Sequence, residues 1–307
     1  MSGQVAQAPA VPRADVRRRP TRPLRRFQWQ PYALVAPATV FMLVFFVWPA
    51  IQALLIAFQT SSGVFTLGNV QAMIRDTDFR FSLTNTLLLL VLIIPTETAV
   101  ALLMAVLAQT RLRGTNFFLY FWTLPLAVSD LAAGLVWLSI FTSHGYLNSL
   151  LQDLHLIRHP IGFLDYNSLG TVVAALVIAE VWRSISIVMV VVMSGIQSIP
   201  GELQEAAAVM GATGWQRFTR VTLPLLKPSI QVALILRTTA AFQVFAMVLA
   251  LAGAAYPVLA VKTEQWVYDY QNYQLAGSYA ALILLLSSLG TLTYLILLRT
   301  PRQVFQR

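Results

Sequence analysis

Cysteine is absent from the 307 residues, which removes disulfides, thiol nucleophiles and cysteine metal sites. Charge is scarce: Asp, Glu, Lys and Arg make up 11% of the chain, about half the share found in soluble domains. The dipeptide Gly-Lys occurs nowhere, so no GxxxxGK[ST] loop is present to cradle nucleotide phosphates. The three histidines, His144, His155 and His159, fall in one loop-like stretch without HExxH spacing, and surface imidazoles account for them better than a metal site.

Apolar residues are abundant instead, at 57%. A soluble fold of this length cannot hide so much apolar surface and still present a charged exterior. Lipid resolves the conflict. The net charge of +9 has a home beside it, because seven arginines crowd residues 13–26, directly before the first apolar run. Such a juxtamembrane cluster is attracted to anionic lipid headgroups and holds its end of the chain in the cytoplasm, so nucleic acid is not needed to explain it.

Residues 1–33 read as a disordered basic cytoplasmic tail, with four prolines in the first thirty positions. Residues 34–58 then carry no charge over 25 positions, enough to cross a bilayer core of about 30 Å. This run is too long for a signal-peptide core, and no small-residue cleavage site follows it. Five further spanning stretches are expected near 82–108, 117–141, 169–194, 229–253 and 278–298. With both termini inside, the cytoplasmic segments hold 15 of the 21 basic residues and the external loops hold four, Arg75, Arg80, Arg158 and Lys262. That asymmetry fits an even number of crossings in this orientation.

The segment between the fourth and fifth spans, about 198–228, has helical punctuation of its own. Pro200 suits a first helical position, and Glu202 complements the dipole of the first turn. A helix through Leu203, Ala206, Ala207 and Met210 would stop at a left-handed Gly211. A second helix is expected to begin at Thr213, with capping-box spacing to Gln216, and to end at Pro224.

These residues carry a family resemblance. Glu205-Ala206-Ala207, three residues, Gly211, nine residues, Val221, one residue and Leu223-Pro224 resembles the "EAA" loop of bacterial ABC importer permeases, with valine where the family writes isoleucine. Ala36-Pro37 through Trp48-Pro49, Leu67-Gly68-Asn69, Asn85-Thr86, Leu124-Pro125, Trp137, Gly145 with Asn148, Trp182 and Gln197-Ser198-Ile199-Pro200 resemble the maltose-type, sugar-importing branch. Met210 departs from that branch's usual aspartate, and residues 183–186 depart from its polar-proline stretch.

The resemblance implies an all-α integral membrane protein with six transmembrane helices, of the type I ABC importer (MetI-like) fold. Residues 34–80 would hold the first helix and an external loop, 81–298 the permease core, and 299–307 a cytoplasmic tail. It implies a permease subunit in a bacterial or archaeal plasma membrane, forming half of the pathway for a sugar or related polyol. The partners would be a second, homologous permease, two ATPase subunits and an extracytoplasmic solute-binding protein. No cofactor is expected on this chain, since ATP and Mg would sit on the ATPase that Glu205, Ala206, Ala207, Gly211, Leu223 and Pro224 engage. A non-sugar solute permease of the same fold and a stand-alone secondary carrier are the alternatives. A membrane enzyme would need clustered titratable or metal-binding residues at one depth.

Charges inside spans are expensive and call for an account. Glu180 and Arg183, three apart on one helical face, are positioned to pair. Arg237 is expected to snorkel toward the cytoplasm. Glu97 and Asp130 have no partner nearby in sequence, leaving backbone contacts at the Pro95 and Pro125 kinks or a wet pathway. Asn85, Trp137, Trp182 and Gln243 are expected to supply, at mid-span, the polar and aromatic types a sugar route uses, although each also suits packing. The loop 256–273 collects Trp266, Tyr268 and Tyr270 among Lys262, Glu264 and Asp269, which reads as an interfacial aromatic belt or a docking surface.

Overall fold

The computed structural model describes residues 30–109, 114–165 and 168–298. Most of the expected basic tail, Arg111, Arg113 and the tail 299–307 lie outside the described residues. The chain divides into two units, Met1–Pro49 and Ala50–Arg307. The first holds α1 (Gln30–Met42) and a π-helical turn, Leu43–Val47, and its described side chains are exposed.

The second unit begins within α2 (Trp48–Ala57) and continues through α3 (Gly68–Arg75) and α4 (Phe79–Gln109). Next come α5 (Thr115–Thr123), α6 (Asp130–Phe141), α7 (Tyr146–Asp153) and α8 (Leu169–Gln197). After α9 (Gly201–Val209) and α10 (Gly214–Arg217) the chain runs through α11 (Leu223–Ala241), α12 (Ala246–Ala252), α13 (Leu259–Tyr268) and α14 (Tyr273–Leu297). No strand is present among the described residues. Among the described residues four helices are long and apolar enough to cross a membrane, or up to six if each of two bent pairs counts as one span.

Those two bends break the third and fifth of the expected spanning stretches. The third stretch turns by 112° between Leu119–Ala127, which ends in a 3-10 turn, Leu124–Ala127, and Asp130–Asp153. Pro125 cannot donate to the preceding turn, and Ser129 opens a new helix by accepting from the Ala132 N–H at 3.3 Å. The fifth bends by 53° at residues 242–245, where the last turn tightens to the three-residue bonds Gln243 N to Ala240 O and Val244 N to Ala241 O. The loop 256–273 is also more regular than expected, since most of it forms α13.

Helix α4 packs on α8, α8 on α11, α6 on α12, and α14 on α11 and α13. Gly134 lets α6 approach α12 closely, because a Cβ there would lie 2.6 Å from the Ala250 Cβ. The apolar interior is layered. One cluster holds Leu89, Ile93, Ala179, Met247 and Val248, and a second holds Ala101, Ala105, Ile185, Val188 and Ala233. On α4, α8 and α11 charged residues fall between the layers: Glu97 on α4, Glu180 and Arg183 on α8, Arg237 on α11.

Candidate functional site

The segment between α8 and α11 folds largely as its punctuation predicts. Pro200 is the residue before α9 rather than its first helical residue, with ψ at 131°. Gly211 has φ +82° and ends α9 with paired bonds, Ala212 N to Ala207 O at 3.0 Å and Gly211 N to Ala208 O at 2.9 Å. This is a Schellman motif, and only the backbone angle calls for glycine, since a Cβ at Gly211 would meet nothing within 4 Å. Thr213 Oγ1 accepts from Gln216 N at 3.3 Å while Gln216 Oε1 accepts from Thr213 N at 2.9 Å, completing a capping box.

The second helix does not end at Pro224, as the sequence suggested. It continues through a π-helical turn, Phe218–Thr222, into one helix running Gly214–Ala241. A wider turn ahead of Leu223-Pro224 relieves the four-residue bonding that a proline ring would block. Gln204 Nε2 donates to Thr222 Oγ1 at 2.8 Å, tying α9 to that turn. Glu205 and Ala206 are exposed, Ala207 is half-buried, and Val209 and Met210 at the tip are 89% and 88% exposed. Leu223 is half-buried and Pro224 exposed.

At the core lies a charge network. Arg237 Nε donates to both carboxylate oxygens of Glu97 at 3.1 Å, and its Nη2 donates to Glu180 Oε1 at 3.2 Å. Arg183 donates to Glu180 through Nη2 at 2.9 Å and Nε at 3.3 Å, and its Nη1 pairs with Asp130 Oδ1 at 2.8 Å. Ser184 donates to Glu97 and to the Glu180 carbonyl. Glu97, Glu180 and Arg237 are buried. The expected Glu180–Arg183 pair is therefore present. Arg237 does not snorkel; two carboxylates from α4 and α8 hold it inward. Glu97 and Asp130 find guanidiniums across the bundle rather than backbone at their prolines.

The four pathway candidates lie apart in kind. Trp137 stacks on Phe141 at 5.1 Å and meets Trp182 edge-on at 5.8 Å, with Trp137 Nε1 buried and lacking a hydrogen-bond partner among the described residues. Asn85 lies in the second turn of α4, not at mid-span, and donates to the Pro257 carbonyl at 2.9 Å. Gln243 is exposed at the bend between α11 and α12.

Several polar residues have structural contacts that the sequence did not show. Asp76 accepts from Tyr279 Oη at 2.6 Å and Trp266 Nε1 at 3.2 Å. Lys262 lies between Asp78 at 3.0 Å and Asp76 at 3.8 Å. Burial alone would raise the Asp76 carboxyl, but the bond from Tyr279, the Asp78 N–H, the Lys262 charge and Trp266 hold it below the usual carboxylate range. Burial pushes Tyr256 up to about 12. Asn148 is fully buried, donating to the Thr142 and Ile161 carbonyls at 3.2 and 2.9 Å and accepting from Ile161 N at 2.8 Å. Asn69 Nδ2 donates to the Ala57 and Gln59 carbonyls at 3.1 and 2.9 Å, closing the end of α2. The resemblance had marked Asn69 and Asn148 by type; the Asp76 cluster had no local signal.

Comparison with known proteins bears on this arrangement. The family model described as binding-protein-dependent transport system inner membrane component matches residues 97–304. The sn-glycerol-3-phosphate transport system permease protein UgpA of Agrobacterium fabrum is 34% identical over 86% of this chain and 92% of its own. UgpA of Salmonella typhi is 32% identical over 79% of this chain and 83% of its own. Among solved structures, a bacterial ABC transporter involved in the import of the acidic polysaccharide alginate superposes with a TM-score of 0.77 at 21% identity. That match covers 91% of this chain and 96% of the other. At that identity the likeness speaks for the fold. Sequence match and helical fold agree, and the chain belongs to the binding-protein-dependent transport system inner membrane components, the permease subunits of ATP-driven importers, which are transport components and not enzymes.

Proposed function

We propose that this chain forms half of a transmembrane route for a sugar or related polyol, and that α9 is the surface through which a separate ATPase drives it. One observation carries the reading. A nine-residue helix presents Glu205, Ala206, Val209 and Met210 outward, and a Schellman stop and a capping box on either side of Gly211 set the angle to the helix that follows. Small side chains let a partner surface approach closely, and Glu205 offers a carboxylate to a partner's arginine.

In this reading the core 81–298 crosses the membrane with the first helix to make six spans, each bent pair counting as one. Both termini and the loop 198–228 face the cytoplasm, in line with the distribution of basic residues. ATP and Mg sit on two ATPase subunits. A second, homologous permease completes the route, and an extracytoplasmic binding protein delivers the solute. The transport of sn-glycerol 3-phosphate and of alginate by the similar proteins supports a polyhydroxylated solute. Trp137, Trp182, Gln243 and Asn85 remain the candidates for contact along that route.

The test is purification of the complex from its native membrane. Wild-type chain should bring an ATPase with a P-loop, and Glu205→Lys or Gly211→Val should lose that ATPase or its stimulation by the binding protein, with membrane insertion unchanged. Retention of wild-type values by both variants would overturn the coupling role of α9.

A further inference from the structure

Asp130 is 54% exposed, although its ion partner Arg183 lies near the midpoint of the 29-residue α8. A bare carboxylate at such a depth cannot face hydrocarbon; charges there face a polar partner or a water-filled cavity. The bend explains how the carboxylate gets there. Asp130 is the first residue of α6, directly after the 112° turn, so the broken span presents a helix start where a straight helix would present a side.

Charge counting gives this opening a sign. Two guanidiniums, Arg183 and Arg237, serve three carboxylates, Glu97, Glu180 and Asp130. Glu97 and Glu180 are enclosed, with exposures of 0% and 2%, so Asp130 is the carboxylate of the three that opens outward. A negative carboxylate repels phosphate and carboxylate groups but accepts hydrogen bonds from hydroxyls, and Arg183 beside it donates.

We propose that the bend at residues 128–130 lines the aqueous solute route, and that Asp130 with Arg183 forms a subsite there for an uncharged, polyhydroxylated solute. The proposal rests on the permease reading and narrows its solute class. An ion pair with a purely structural role would hold α6 to α8 without water access and without selecting reagents by charge.

The test uses the assembled complex in liposomes, and the cysteine-free chain makes it direct. Leu131→Cys places a single thiol beside Asp130, and Leu285→Cys on α14 is the reference; the two leucines are similarly exposed, at 51% and 56%. Cationic and anionic methanethiosulfonates serve as the probes, with modification read as the mass of this chain. The thiolate forms in water, so Leu131→Cys should react on the order of tenfold faster than Leu285→Cys. It should prefer the cationic reagent, and adding Asp130→Asn should lower that preference on the order of fivefold, as removal of one nearby charge in water would. Reaction no faster than at Leu285→Cys, or a preference unmoved by Asp130→Asn, overturns the proposal. ATPase co-purification is read on the same sample: its loss in otherwise unaltered chain strikes the permease reading, while an inert Leu131→Cys with the ATPase retained strikes this subsite alone.

Discussion

Arg237 on α11 and Glu97 on α4 stand 140 positions apart in sequence and share two hydrogen bonds of 3.1 Å. With Nη2 on Glu180, the same guanidinium joins three helices at the level where the two apolar layers part. Removing one member of such a set leaves a buried charge without compensation, which costs about 3–5 kcal/mol, whereas neutralising both members costs much less. Arg237→Met should therefore lower the thermal midpoint of the detergent-purified protein strongly, and Arg237→Met with Glu97→Gln should recover part of the loss. A double variant as unstable as the sum of its single changes would show that the two residues do not interact.

Gly211 separates a conformational demand from a steric one. Its φ of +82° disfavours any side chain, but open space surrounds the position where a Cβ would sit. A left-handed conformation costs a β-branched residue about 1–2 kcal/mol, while asparagine visits that region readily. Uptake in cells should survive Gly211→Asn and fail with Gly211→Val. Equal loss in both would mean that a partner surface fills the space beside Gly211.

The Asp76 cluster sets a dependence on acid. The carboxyl has a folded pKa below its ordinary value near 3.9, so its contribution is complete above that pH and is lost as pH falls through the lower, folded value. Between pH 5 and 7 the contribution should be flat. Asp76→Asn should lower the thermal midpoint across that range, because Lys262, Trp266 and Tyr279 lose a charged acceptor. Melting curves of both proteins at several pH values provide the check; identical midpoints at pH 7 would remove Asp76 from the list of stabilising groups.

The features readable in sequence are those whose physics is local. Thr213 and Gln216 are three apart, and Gly211 follows a run of helix formers, so their cap and stop were visible as spacing. Pro125 announced a disturbance in the third span, although its size depends on the new cap at Ser129. The bend at residues 242–245 has neither proline nor glycine to announce it. The charge network was half legible. Glu180 and Arg183 pair across one helical turn, but Arg237 finds its acceptors 57 and 140 positions away. Read alone, a cation in an apolar helix suggests escape to the nearest interface, and only packing of three helices reveals the carboxylates that keep it.

The π-helical turn at residues 218–222 has a mechanical consequence. By keeping residues 214–241 in one rod, it makes α11 an extension of the loop that follows α9. At 1.5 Å per residue, Arg237 lies roughly 35 Å along that rod from Gly214. A swing of about 5° pivoting at Gly214 would carry the guanidinium roughly 3 Å, as far as its bonds to Glu97 are long. A stroke of that size at one end would thus suffice to make or break an ion pair at the other.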